Sequence, residues 1–213
     1  MSGAEAILVL GVISSIIAII DGTKQVYDAA TNPQGLPAAF HEIANRLPII
    51  RTILSSAEEH IKNKDVDESW CKGVKAIINA CEEKAKVLDM LFHKAIPGEG
   101  VSRLTRYYKA VKSYGKGSEV ETLMKKMLED VQLLACEHGM KTVTKAQKDE
   151  IAQAIEEVSQ VTPSVPDDDA NQLGLIANNT GAGTQNNALG EHIAQGQARM
   201  YVSGGGAMNF GKD

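Results

Sequence analysis

The sequence predicts an all-α fold: a multi-helix bundle followed by a disordered, amyloid-prone tail rich in Gly, Asn and Gln. Three observations carry that expectation. Between residues 36 and 158 apolar side chains recur at alternating steps of three and four, the spacing of buried helical faces. No window shows sustained period-two alternation with β-branched residues, as a half-buried strand does. From Ala170 to Asp213 the chain holds nine Gly, six Asn and four Gln but hardly any large apolar groups, so a monomeric tail cannot offset its ordering entropy by burial.

The 213 residues are 43 % hydrophobic but only 4 % aromatic, enough for one aliphatic core and an appendage. A net charge of −5 argues against general nucleic-acid binding, which needs a basic surface. Cys71, Cys81 and Cys136 form no CxxC and cannot all pair, which reads as a reduced, intracellular compartment. The chain divides into a body over 1–161, a Pro/Asp linker over 162–169 and a tail over 170–213.

The body opens on an apolar run. Between Glu5 and Asp21 every residue is uncharged, and the run includes Ile7, Leu8, Val9, Leu10, Val12, Ile13, Ile16, Ile17, Ile19 and Ile20. A helix apolar all round belongs at the centre of a bundle or in a membrane, and crossing a bilayer takes roughly 20 apolar residues. No Lys or Arg precedes the run, so it does not read as a signal peptide. It reads as a buried central helix. Periodicity does not separate this from an element buried at rest and released into lipid on activation.

The amphipathic helices follow. Leu36, Phe40, Ile43, Leu47, Ile50, Leu54, Ala57 and Ile61 make one stripe, with Pro37 suited to a first turn and Pro48 expected to kink it. Trp70, Val74, Ile77, Cys81, Ala85, Leu88 and Leu91 make the next, behind Asp65 and Glu68 at capping-box spacing. Residues 101–116 place Arg103, Arg106, Lys109, Lys112 and Lys116 on one half of a helix, and Val101, Leu104, Tyr107, Tyr108, Val111 and Tyr114 on the other. That basic half reads either as a contact for anionic lipid or as a solvated face. Val120, Met124, Met127, Val131 and Leu134 follow Ser118 and Glu121, again at capping-box spacing, and precede Gly139 as a stop. Ile151, Ala154, Ile155 and Val158 complete the bundle.

Nothing in this pattern reads as catalytic. His41-Glu42 lacks the second His of a zinc-binding helix face, and Cys136-Glu137-His138 are neighbours that point apart on a helix. Gly115-Lys116-Gly117-Ser118 lacks the spacing of a phosphate loop and reads as a turn. No enzyme activity, metal site or cofactor is expected.

The tail has a pattern of its own. Asn178-Asn179-Thr180-Gly181-Ala182-Gly183-Thr184-Gln185, Asn186-Asn187-Ala188-Leu189-Gly190, Gln195-Gly196-Gln197 and Gly204-Gly205-Gly206-Ala207-Met208-Asn209-Phe210-Gly211 are amide-bearing segments punctuated by glycine. Such segments can stack as cross-β rungs with amide ladders along a fibril; the alternative is a flexible, solvated tail.

The stretch from Met1 to Gly22, with Ala39-Phe40-His41-Glu42-Ile43-Ala44-Asn45-Arg46-Leu47-Pro48 and Met127-Leu128-Glu129-Asp130-Val131-Gln132-Leu133-Leu134-Ala135, resembles the fungal SesA-type N-terminal domain. That domain occurs on NACHT/STAND NOD-like receptors and their cell-death partners and is similar to HeLo and HeLo-like bundles. The tail, ending Ala207-Met208-Asn209-Phe210-Gly211-Lys212-Asp213, resembles the σ-type amyloid-signalling motif of the same systems.

The resemblance implies a regulated cell-death effector. A NACHT-type receptor carrying a matching motif templates the tail into an amyloid fold, the chain self-assembles, and the bundle releases its N-terminal helix to perturb an anionic membrane. Such a protein is cytoplasmic at rest and reaches the plasma membrane on activation. With a bundle, linker and tail but no NTPase, the chain reads as an effector or as the N-terminal piece of a longer receptor. The alternative is a non-lytic adaptor or receptor signalling domain acting through protein contacts alone.

Overall fold

A computed structural model describes residues 3–30, 35–63, 68–98, 100–136, 143–165, 192–195 and 199–202. Within them lie six helices, α1 Gly3–Asp28, α2 Ala38–Asn63, α3 Glu68–Ala95, α4 Arg103–Tyr114, α5 Val120–Cys136 and α6 Lys145–Ser159, and two strands, β1 His192–Gln195 and β2 Arg199–Val202. The chain forms two compact units, Met1–Pro166 and Asp167–Asp213.

The first unit is the all-α bundle that the sequence predicts. α1, α2, α5 and α3 pack in that order as a closed four-helix ring; α4 is added on α3, and α6 on α2 and α5. The stripe of α2 from Phe40 to Ile61 is buried, as are Val120, Met124, Met127, Val131 and Leu134 of α5 and Ile151, Ala154 and Val158 of α6. α2 runs on through Pro48. Where α2, α3 and α4 meet, three buried rings stack: Phe40 lies 4.8 Å from Phe92 and 5.0 Å from Tyr107 between ring centres. A chain poor in aromatics thus concentrates them at one junction.

Several local expectations are corrected. On α3 the buried residue is Ile78, and Ile77 is half-buried. Val74, Ile78, Cys81, Ala85, Leu88, Phe92 and Ala95 keep strict steps of four and three, a register that Ile77 breaks. Ser118 and Glu121 do not form a capping box. Ser118 instead donates to the carbonyls of Gly115, at 2.7 Å, and Val111, at 3.2 Å, closing the end of α4, while Glu121 is engaged by Ser164. Gly115 and Gly117, at φ +88° and +83°, turn the chain there in a conformation that L side chains rarely adopt. A capping box does occur at α6, between Thr144 and Gln147, where sequence reading missed it. Asp65 and Gly139 lie outside the described residues.

The largest correction concerns α1, which is a corner of the ring and not its centre. Among the described residues α1 packs chiefly on α2 and α3, with Val9, Ile13, Ile16 and Ile20 buried while Ile7 is 68 % and Leu8 53 % exposed. The helix also continues past its apolar run to Asp28, 26 residues in all, or about 39 Å.

In the second unit β1 and β2 pair antiparallel, His192 opposite Val202 and Gln195 opposite Arg199. Ile193, Tyr201 and Val202 are residue types that favour such pairing, although a lone two-stranded hairpin is marginal in water. Of the amyloid-motif residues, Gln195 ends β1. Asn178, Asn179, Gly181, Gly183, Gln185, Asn186, Asn187, Gly190, Gln197, Gly204, Gly205, Gly206, Asn209 and Phe210 lie outside the described residues.

The α3 register has a direct test in chemical denaturation. Ile78→Ala should cost about 2–5 kcal/mol, as buried Ile truncations do, and Ile77→Ala clearly less. Equal losses would contradict the register.

Candidate functional site

α1 docks through an aliphatic stripe at steps of four and three, Val9, Ile13, Ile16 and Ile20, continued by buried Thr23. Burying each large aliphatic side chain contributes about 1.5–3 kcal/mol, so this stripe supplies the bulk of the attachment. Three hydroxyls then fix its register. Ser14 Oγ donates to Glu58 Oε1 of α2 at 2.8 Å, and Ser15 Oγ to Glu82 Oε1 of α3 at 2.7 Å. Thr23 Oγ1 lies 2.9 Å from Asp89 Oδ1 of α3 and 2.8 Å from the Ile19 carbonyl. Ion pairs flank them, Glu5 with Lys75 at 3.3 Å and Asp21 with Arg51 at 2.8 Å.

These carboxyls are tuned by their partners. Glu82 is held below the usual glutamate range by its bond from Lys86 and then by that from Ser15; Glu58 is held low by Lys62 and then by Ser14.

The other flank of α1 stays uncovered. Ile7 and Leu8 face solvent with Gly11 and Ala18, and Leu10, Val12, Ile17 and Ile19 are half-buried. Leu8, Val9 and Val12 border, with Lys75, Ile78 and Asn79, a groove of about 130 Å³. The helix is long and apolar enough to cross a membrane, with a mean hydropathy of 2.2 over its best window, yet only 28 % of that window is buried. An amphipathic helix turns a polar face outward, whereas α1 places Ile7 and Leu8 in solvent and leaves Leu10, Val12, Ile17 and Ile19 half-buried.

The basic half of α4 splits in two. Lys109 and Lys112 are exposed on α4, and Lys116, expected on the same helical face, is exposed in the turn after Tyr114 because Gly115 ends the helix. Arg106 instead gathers the carbonyls at the end of α3, donating to Lys94 O at 3.2 Å, Ala95 O at 2.9 Å and Ile96 O at 3.3 Å, and also to Val101 O. Arg103 Nε adds a bond to Ile96 O at 3.3 Å. The last carbonyls of a helix lack intrahelical donors and carry partial negative charge, so these two guanidiniums close α3 as much as they decorate α4. Lys94 of α3, which sequence reading missed, joins Arg106, Lys109, Ala110 and Ser113 around an open cavity of about 350 Å³. Its ammonium sits 5.1 Å from the centre of the Tyr114 ring.

Ser14, Ser15 and Thr23 were also missed, although hydroxyls interrupting an apolar run, as Ser14 and Ser15 do, are a readable sign that the run meets polar partners. Cys71 and Cys81 are both buried; burial, then Asp130, pushes the Cys81 thiol up to about 12, which leaves it unreactive. Among the described residues no group of three His, Cys, Asp or Glu side chains is placed to hold a metal ion.

Two expectations follow from this geometry. A carboxyl with a lowered folded-state pKa adds stability that is complete above its ordinary value, about 4.3 for Glu, and is lost as pH falls through the folded value. Hydrogen exchange over residues 9–23, corrected for intrinsic rates, should show α1 fully docked at neutral pH and loosening only below about pH 4. The effect should shrink in the Ser14→Ala/Ser15→Ala chain. Separately, Arg106→Glu should lower unfolding stability by about 1–3 kcal/mol, whereas Lys109→Glu should stay within about 0.5 kcal/mol of wild type.

Residues 13–134 match the model of the SesA family, described as an N-terminal domain on NACHT and P-loop NTPases. No curated protein and no solved structure matches the chain. The match spans α2, α3 and α4 and most of α1 and α5, but begins after the exposed Ile7 and Leu8 and ends well before the tail. The bundle and this match together place the chain in the SesA family, as the signalling domain of a NOD-like receptor system.

Proposed function

We propose that this chain is a non-enzymatic cell-death effector of a NACHT receptor pathway. A receptor with a matching motif gathers copies through their tails, and α1 then leaves the bundle for an anionic membrane. The protein rests in the cytoplasm and acts at the plasma membrane. The observation that carries the reading is α1 itself, a 26-residue helix with an aliphatic run over residues 6–20, held along one stripe and by a few hydroxyl–carboxylate bonds, with Ile7 and Leu8 already in solvent.

A hydrophobic stripe alone would make α1 hard to remove, and a helix fully exposed to water would aggregate. Half-burial lies between these limits. Lipid can cover the flank that α2 and α3 leave open, so insertion exchanges protein contacts for lipid contacts without a fully solvated intermediate. Lys109, Lys112 and Lys116 supply a second contact, since each basic residue close to an anionic surface contributes about 1 kcal/mol. Clustering through the tail adds the gain of multivalency.

The test uses vesicles of phosphatidylcholine with phosphatidylserine, read by co-sedimentation and dye leakage. Ile7→Asp/Leu8→Asp leaves the core intact because both residues are exposed, and it should weaken binding at least about tenfold. Lys109→Glu/Lys112→Glu/Lys116→Glu should weaken it further at low salt than at high salt. Binding unaffected by the aspartates would remove α1 from the mechanism and favour an adaptor acting through protein contacts.

A further inference from the structure

A buried run of hydrogen bonds ends on the segment that the sequence reads as linker. Ser164 is 5 % exposed, although Pro163 before it is exposed and Val165 after it is half-buried. Its backbone N–H donates to Glu121 Oε1 at 2.8 Å. Its hydroxyl lies 2.7 Å from Glu121 Oε2 and 2.5 Å from the Tyr107 hydroxyl. A carboxylate only accepts, so the single hydroxyl proton of Ser164 goes to Glu121. Tyr107 must then donate to Ser164, and its oxygen accepts the Val120 N–H at 3.3 Å. The bonds run in one direction, from Val120 to Tyr107 to Ser164 to Glu121, and each polarises the next.

The consequences of removing Ser164 are uneven. Glu121 is half-buried and can turn to water. Tyr107 is fully buried, and burial is what most strongly raises its pKa, so its proton stays on the phenol and loses its acceptor. Tyr107 also supports the core. Its ring meets Phe40 nearly edge-on at 5.0 Å, Phe40 lies 4.8 Å from Phe92, and Phe92 lies 6.1 Å from Tyr27 near the end of α1. One residue therefore joins the root of the tail to the ring stack against which α1 packs.

We propose that Ser164 is a clip that couples the chain beyond the bundle to α1. Drawing the later residues away from the bundle unseats Ser164, strands the Tyr107 hydroxyl and loosens the stack beneath Tyr27. This regulation rests on the reading of α1 as the released element. In sequence Ser164 is three residues before Asp167, where the second unit begins, so the clip lies on the chain that leads out of the bundle.

The experiment is amide hydrogen exchange on the full chain, with phosphatidylserine vesicle binding read in parallel. Ser164→Asp sets a second carboxylate against Glu121 and should speed exchange at Val120 about tenfold, with faster exchange also in α1 around Tyr27. Ser164→Thr keeps a hydroxyl and should stay near wild type. Tyr107→Phe keeps the ring and removes the group to be stranded, so Ser164→Ala should have a smaller effect on that background than on wild type. Unchanged exchange at Val120 in Ser164→Asp would overturn the clip. Faster exchange at Val120 with none in α1 would overturn the coupling. If α1 exchanges faster while neither wild type nor Ser164→Asp binds vesicles, the clip stands and the membrane reading fails.

Discussion

The stripe of Val9, Ile13, Ile16 and Ile20 against α2 and α3 is the contact on which the rest of this molecule depends. It closes the four-helix ring, and without it the inner faces of α2 and α3 would meet water. The same contact sets the functional question. A corner helix has two neighbours and therefore one dry flank, so the apolar run of α1 over residues 6–20 must leave apolar surface outside. The fold tolerates that surface because Ser14, Ser15 and Thr23 pin the helix at defined heights on Glu58, Glu82 and Asp89. Hydrogen bonds to charged groups are stronger than neutral ones but directional, and they fail together when a helix rolls or slides.

The basic face shows a related economy. Arg103 and Arg106 close the C-terminal end of α3, and Lys109, Lys112 and Lys116 remain for solvent or a charged surface. A charge count over residues 103–116 treats all five as equivalent; the carbonyls at the end of α3 divide them. The helix that bears the lysines is thus fastened to α3, the element that also carries Glu82 and Asp89. Anything that shifts α3 acts on both candidate membrane contacts.

Much of the fold was legible because amphipathic periodicity records burial directly. The stripes of α2, α5 and α6 largely lie where their spacing places them, although Leu36 and Pro37 precede α2 and Ile155 is only half-buried, and Gly115 to Ser118 forms the turn that its glycines suggest. What periodicity could not show was placement. A helix apolar all round looks the same at the centre of a bundle and at its corner, so α1 was read as central. Capping-box spacing was equally ambiguous at Ser118 and Glu121, because Ser118 is taken by carbonyls at the end of the preceding helix and Glu121 by Ser164, distant in sequence. Ser164 lay in a Pro-rich stretch whose composition suggests a linker, and only tertiary contact reveals it as buried. The match to the SesA family is consistent with the bundle and leaves the first residues of α1 and the tail to be understood from their own chemistry.

The central claim, that α1 docks on α3 in solution and leaves it on an anionic membrane, is tested most directly by a distance. Spin labels at Gly11→Cys, where an added side chain meets nothing within 4 Å, and at exposed Ala76→Cys on α3 would report it by pulsed electron resonance, with the native cysteines replaced by alanine. The account predicts one narrow distance for the protein in solution and a longer, broader distribution on phosphatidylserine vesicles seeded with assembled tail peptide. A distance that stays narrow and unchanged on vesicles to which the protein is bound would contradict it.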